Sequence, residues 1–389
     1  MHPNRYPRQL ASALDQSSLP SIDGLRAVAV SLVVFYHFGC RWVNGGIGVL
    51  VFFVISGFLI TWLLLKEESR WGDISLRHFY LRRTLRIFPA FYVYWLLVVV
   101  GFSLLGKRVD KPQAIASLLY VNNYYQAVLH DPDTALSHTW SLGIEEQFYL
   151  LWPAMFIALG RHHRRVQGLI GAICLIWAYR LVMVLVFRVH EGYVYEAWEM
   201  RADHLFMGCL LATILYSGSL TRLFHVIASR PAMLWLTIVL FGLSSLMPHF
   251  VTWRYRDLVG FIVDPVLTAA LITQALAFWS STSLWLNWSW MRWVGRLSYS
   301  IYLYQQIALA PARKIFSNRP VAIQLMFAIA SCLALSALSY YVIEKPLLSL
   351  KDTLGKRSKA AQMPYAAPDS VVLLASRKAA TGNDARRVE

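Results

Sequence analysis

Arg26 and His37 stand eleven residues apart in an otherwise apolar stretch, a spacing that could serve chemistry. At about 100° per residue the separation is about 1100°, within ~20° of three full turns, so a helix carries both on one face. A rise of about 1.5 Å per residue sets them roughly 16 Å apart along the axis. This puts a cation near the cytoplasmic boundary and an imidazole deeper in the same interior. The plainer account makes Arg26 a snorkelling anchor and His37 a structural hydrogen-bond donor. Arg82, Arg83 and Arg86 precede Pro89. Arg83 and Arg86, at i,i+3, share a face and suit phosphate recognition by planar guanidiniums, or they simply flank a span on its cytoplasmic side. A third cluster runs from His138 to Phe148 and holds Glu145, Glu146 and Gln147. Adjacent carboxylates point about 100° apart on a helix, so at most one faces a shared pocket squarely. The alternative is that both solvate a helix end. Asp203 and His204 form a weaker candidate of the same sort. Ser56-Gly57-Phe58 and Gly45-Gly46-Ile47-Gly48 supply small residues for close approach. The sequence contains no Walker loop, metal-ligand cluster or Gly-x-Ser-x-Gly elbow.

The elements that must position these residues are membrane helices. Of 389 residues, 57% are hydrophobic and only 15% charged, with a mean hydropathy of +0.47. Soluble domains carry about a quarter charged residues. This excludes intrinsic disorder, a disulfide-stapled module and a typical nucleic-acid-binding domain. The cysteines, Cys40, Cys174, Cys209 and Cys332, lie in or beside apolar stretches and read as small core hydrophobes. The fold expected is all-α integral membrane with about ten transmembrane helices. Their expected limits are residues 25–43, 47–66, 87–106, 142–160, 167–187, 202–217, 232–250, 259–279, 297–312 and 321–343. The fourth and ninth are the most polar. Residues 112–129, carrying Asn122, Asn123 and Gln126, read as an interfacial or re-entrant helix.

The net charge of +16 is largely topological. No signal peptide is visible, since residues 1–20 are polar. With the N-terminus in the cytoplasm, 24 of the 37 Lys and Arg residues fall in inside loops and tails. That bias supports an N-in/C-in arrangement, although Arg313, Lys314 and Arg319 lie on the opposite side. Residues 1–20 form a cytoplasmic N-tail and 21–350 the membrane domain. Residues 351–389, rich in Ala, Ser and basic residues, read as a disordered cytoplasmic C-tail.

Taken in order, the clusters resemble the membrane acyltransferase-3 family. Ser21-Ile22-Asp23-Gly24-Leu25-Arg26-Ala27 with His37 is similar to that family's first helix, an Arg followed by ten residues and a His. Val51 to Thr61 resembles its second helix. Phe79 to Arg83 and Arg86 to Tyr92 resemble the third, including the Arg-x-x-Arg pair. His138 to Pro153, Gly295 to Leu303, and Tyr340 to Pro346 complete six ordered blocks across about residues 20–350. Two positions depart from the pattern. Many members have an Asp where this chain has Leu50, and a Trp-His pair where it has Tyr304-Gln305. No role of that Asp or second His carries over, which leaves His37 as the candidate base.

The resemblance implies an O-acyltransferase in the stand-alone form, without an appended hydrolase-like domain. Acyl-CoA, acetyl-CoA first, is the expected donor substrate, and no metal is required. The acceptor is a hydroxyl of a glycan: surface polysaccharide, lipid-linked sugar or exopolysaccharide. The expected catalytic residues are His37, Glu145 and Glu146, and the donor-binding residues are Arg26, Arg83 and Arg86. Membrane lipid is a partner and nucleic acid is not. The location expected is the bacterial cytoplasmic (inner) membrane, multi-pass. One alternative acceptor is a small molecule such as a macrolide sugar or a lipo-oligosaccharide. An alternative of another class is a transporter or flippase, which would need a polar relay through the middle spans.

Overall fold

The computed structural model describes residues 6–16, 19–40, 42–129, 134–160, 162–251, 253–278 and 284–350. Every regular element among them is helical, and no strand occurs. The C-tail expected at 351–389 lies outside the described residues. In the N-tail, Arg8–Asp15 is a helix, α1, whose Leu10 and Leu14 are fully buried.

Local sequence signals set the ends of the helices that build the site. Pro20 opens α2 (Pro20–Phe38), which ends at Gly39 in the left-handed region, φ 112°. The Asn44 side chain caps α3 (Gly45–Trp71) by accepting from Gly46 N, and Ser75 caps α4 (Leu76–Leu104) by accepting from His78 N. The segment expected at 112–129 is two eight-residue helices, α5 (Lys111–Leu118) and α6 (Asn122–Leu129). They break at Tyr120, φ 56°. Each is about 12 Å long, too short to cross a bilayer. The chain continues through α7 (Trp140–Leu159), α8 (His162–Leu185), α9 (Glu191–Glu196), α10 (Trp198–Ser217), α11 (Thr221–Ser229) and α12 (Pro231–Phe250). The short α13 (Trp253–Tyr255) runs through a π-helical turn, Arg256–Gly260, into α14 (Phe261–Ala277). Then come α15 (Ser289–Ile315), α16 (Val321–Ser339) and a second π-helical turn, Tyr340–Glu344.

Among the described residues, seven helices are long and apolar enough to cross a membrane: α2, α3, α4, α8, α12, Arg256–Ala277 and Val321–Leu350. An eighth arises if Glu191–Ser217 and Thr221–Ser229, bent by 105°, count together. Ten were expected. The shortfall is in α7 and α15, which are long enough but too polar, carrying Glu145, Glu146 and Gln147, or Arg292, Arg296 and Gln305. Several of those polar side chains face the bundle interior, where cavities replace lipid.

The most apolar span, α3, has a mean hydropathy of 2.6 and sits at the centre, packed against α2 and α10. The peripheral α12 instead exposes Trp235, Leu236, Val239, Leu240 and Leu243, as a lipid-facing surface does. Contact between α3 and α10 depends on two facing glycines. A Cβ on Gly57 would lie 1.9 Å from the Leu205 carbonyl oxygen, and one on Gly208 would lie 2.0 Å from that of Val54. This contact fixes the face of α3 that carries Val49, Phe53 and Ser56.

Candidate active site

Helices α2, α3, α4, α7 and α15 line a partly open cavity, about 750 Å³ with its solvent-open part included, whose wall carries Arg26, Arg83, Arg86, Glu145 and Tyr149. A further space of about 1150 Å³ shares Arg26, Arg83, Arg86 and Tyr299 with it and continues to Lys66, Arg296 and Glu344. Together they form one inner cavity with a cationic mouth. Arg26 lies 3.7 Å from Asp23. Arg83 sits over the rings of Tyr149 and Phe79, at 5.4 and 5.9 Å. Neither Arg83 nor Arg86 has an ion pair among the described residues. Arg82 differs, being held by Glu67 at 2.8 Å. Glu145 accepts a 2.6 Å hydrogen bond from Ser56 Oγ, which in turn accepts from Tyr149 at 3.1 Å. Glu146 lies outside this lining, near Tyr92 and Tyr120.

An outer cavity of about 1140 Å³ lies at the other end of α2. His37, His138, Tyr36, Tyr195, Glu191 and Arg256 face it. His37 Nδ1 is 3.1 Å from the Val33 carbonyl oxygen. A carbonyl only accepts, so Nδ1 carries the proton and Nε2 the lone pair. His138 is 3% exposed, and its ring packs edge-on against Tyr94 and beside Tyr302, near the Leu303 backbone. Burial, and then neighbouring His37, push its imidazole down to about 3, so it stays neutral. The turn that carries it, Ser137–Thr139, is fastened by α6. Asn122 Nδ2 donates to the Leu136 carbonyl at 3.1 Å and to Thr139 Oγ1 at 2.9 Å. Gln126 Nε2 donates to the Ser137 carbonyl. Thus the polar side chains of 122–126 work inside the fold as supports for His138. Arg256 is neutralised, with Glu191 at 2.7 Å and Asp257 at 2.8 Å.

The six residues expected at the site do not form one constellation. Arg26, Arg83, Arg86 and Glu145 share the inner cavity, His37 lies in the outer one, and Glu146 lines neither. Arg26 and His37 do face the same interior, but into separate spaces. Glu145 is bound to Ser56 rather than aimed at the imidazole. Asp203 is held by Arg180 at 2.6 Å and by Trp177 Nε1 at 2.9 Å, and His204 Nε2 lies 3.3 Å from the Phe261 carbonyl. Both are fully buried in helix packing away from the inner and outer cavities.

A sequence profile described as an acyltransferase domain matches residues 19–341. The chain belongs to the acyltransferase-3 family. A putative peptidoglycan O-acetyltransferase of Bacillus subtilis is 33% identical over 355 residues, covering 85% of this chain and 55% of that protein. The peptidoglycan O-acetyltransferase OatA of Listeria monocytogenes is 30% identical over 352 residues, 85% of this chain and 56% of that protein. An O-acetyltransferase OatA of Staphylococcus aureus is 32% identical over 355 residues, 85% and 57%. The chain therefore spans little more than half the length of these relatives. No solved structure matches it.

In this acyltransferase-3 member, sequence reasoning passed over His138 although it heads the block that carries Glu145. The available signal was an imidazole at the head of an aromatic-rich stretch that runs on to Trp152 and Pro153. Ser56 was read for packing alone, yet it holds Glu145. Tyr302 lines both cavities, and nothing in a chain with 20 tyrosines marks it out.

Proposed function

We propose that the chain is a membrane O-acyltransferase that moves an acetyl group from cytoplasmic acyl-CoA to a hydroxyl of a glycan. The observation that carries this reading is the pairing of an arginine-lined inner cavity with a histidine-lined outer one. An anionic, phosphate-bearing donor needs unpaired guanidiniums, and Arg83 and Arg86 offer planar donors on one helix face. Arg26, in the same space, adds a third guanidinium for the donor's phosphates. A sugar hydroxyl is a poor nucleophile near neutral pH and needs a positioned base. His37, with its lone pair on Nε2, is that base, and His138 contributes a neutral hydrogen-bonding group to the same space. Glu145 holds Ser56 and Tyr149 in the wall of the donor cavity. The names of the relatives, peptidoglycan O-acetyltransferases, support a glycan acceptor. The location proposed is the bacterial cytoplasmic membrane, and the distribution of Lys and Arg supports an orientation with the N-terminus and the cationic mouth inside.

Labelled acetyl-CoA added to membranes containing the protein and a lipid-linked or polymeric glycan tests this reading. Label incorporated into the glycan, and released as acetate by mild base, is the expected result. Movement of glycan across the membrane without incorporation would replace the enzyme with a flippase.

A further inference from the structure

The inner and outer cavities share two lining residues among those described, Val49 of α3 and Tyr302 of α15. Both are buried, at 6% exposure each. Tyr302 is pinned: its hydroxyl lies 2.5 Å from Ser141 Oγ and donates to the His138 carbonyl at 2.8 Å. Val49 sits on the helix whose position the Gly57 contact fixes. Beside the Ser141 and His138 groups that hold Tyr302, the linings of the two cavities include the apolar Phe53 and Leu142 on the inner side and Val33 on the outer.

We propose that Val49 and Tyr302 form the partition at which the acyl group lies during transfer, and that they select its length. The proposal rests on the donor and acceptor reading above. In a direct transfer the acceptor oxygen must come within about 3–3.5 Å of the thioester carbonyl carbon. A donor held in the inner cavity and an acceptor held in the outer one meet only where the two spaces meet. There the acceptor oxygen bonds to the carbonyl carbon as His37 takes its proton. The C–S bond then breaks, its electron pair goes to sulfur, and the proton passes from His37 to the thiolate to leave the free thiol. The acyl substituent takes no part in these bonds and must fit beside Val49 and the Tyr302 ring. A rigid, close-packed wall rejects added methylenes because neither a hydrogen-bonded ring nor a β-branched side chain yields. Acetyl fits this wall, and longer chains are penalised.

The test compares acetyl-, propionyl- and butyryl-CoA with the full chain in membranes, reading kcat/KM for each. Val49→Ala widens the partition and should raise the butyryl-to-acetyl ratio about tenfold or more, the scale at which a pocket discriminates single methylenes. Val49→Leu should lower the propionyl-to-acetyl ratio. Tyr302→Phe keeps the ring but frees it from Ser141 and His138, and should relax the ratio less than Val49→Ala. Three variants of different size guard against one that fails to fold. If the wild type transfers acetyl and the ratios stay within twofold of its values in all folded variants, the partition does not select the chain. If the wild type transfers no acyl group from any acyl-CoA, the donor reading itself falls, and this proposal with it.

Discussion

The inner and outer cavities lie on the same helices yet are built from opposite materials. The inner one presents five cations, Arg26, Lys66, Arg83, Arg86 and Arg296, against three carboxylates, Asp23, Glu145 and Glu344. Among the described residues, the outer one has a single guanidinium, Arg256, already neutralised by Glu191 and Asp257, and two imidazoles. An uncompensated cationic surface is expensive inside a membrane protein unless a ligand brings the missing negative charge. A neutral space with imidazoles instead suits a proton transfer. On the function proposed above, the donor binds at one end of α2 and the chemistry takes place toward the other, with roughly 16 Å of helix between Arg26 and His37.

Substitutions that separate the two cavities can break this division. His37→Ala removes the base and should lower kcat by about 100- to 10,000-fold, while the protein still inserts; labelled acetyl incorporation and membrane content measure both. His138→Ala should lower kcat by about 100-fold, the scale of losing one hydrogen-bonding group at a reacting centre, with the KM for acetyl-CoA unchanged. Because His138 stays neutral far below neutral pH, His138→Gln should leave the acid limb of the pH–rate profile in place. That limb then belongs to a group other than His138. A shift of that limb in His138→Gln would make His138 the titrating group. Arg83→Ala with Arg86→Ala should raise the KM for acetyl-CoA by about 10- to 100-fold, as loss of charge-assisted hydrogen bonds does, with little change in kcat. An altered orientation or expression level alone would reduce both arginines to topological anchors. The smallest contrast is between the carboxylates: Glu145→Gln should weaken acetyl-CoA binding a few-fold more than Glu146→Gln, because only Glu145 lines the inner cavity.

Much of the cavity wall was legible in the sequence because charge inside an apolar stretch is conspicuous. Arg26, Arg83, Arg86 and His37 announce themselves on that ground, and helical spacing correctly puts Arg26 and His37 on one inward face. Spacing cannot say that Val49 and Tyr302 divide the interior between them, since that depends on how α3 meets α15. The choice between Glu145 and Glu146 was likewise a matter of rotation, decided by Ser56 on another helix. Ten spans expected from the sequence stand against seven or eight helices that pass on length and apolarity among the described residues, for a related reason. In α7 and α15 the polar residues face internal space, so length and apolarity together no longer describe the helix. The segment 112–129 reads from composition as an interfacial or re-entrant helix. What composition does not show is that its asparagines and glutamine are buried, where Asn122 and Gln126 donate to the turn carrying His138.

Separation of donor binding from chemistry is tested most directly by acetyl-CoA saturation curves for purified, reconstituted wild type, His37→Ala and Arg83→Ala/Arg86→Ala with the same glycan acceptor. The prediction is a low plateau reached at unchanged acetyl-CoA concentration for His37→Ala, and a near-normal plateau reached only at higher concentration for the arginine pair. If both variants depress the same parameter, the two cavities do not divide the work.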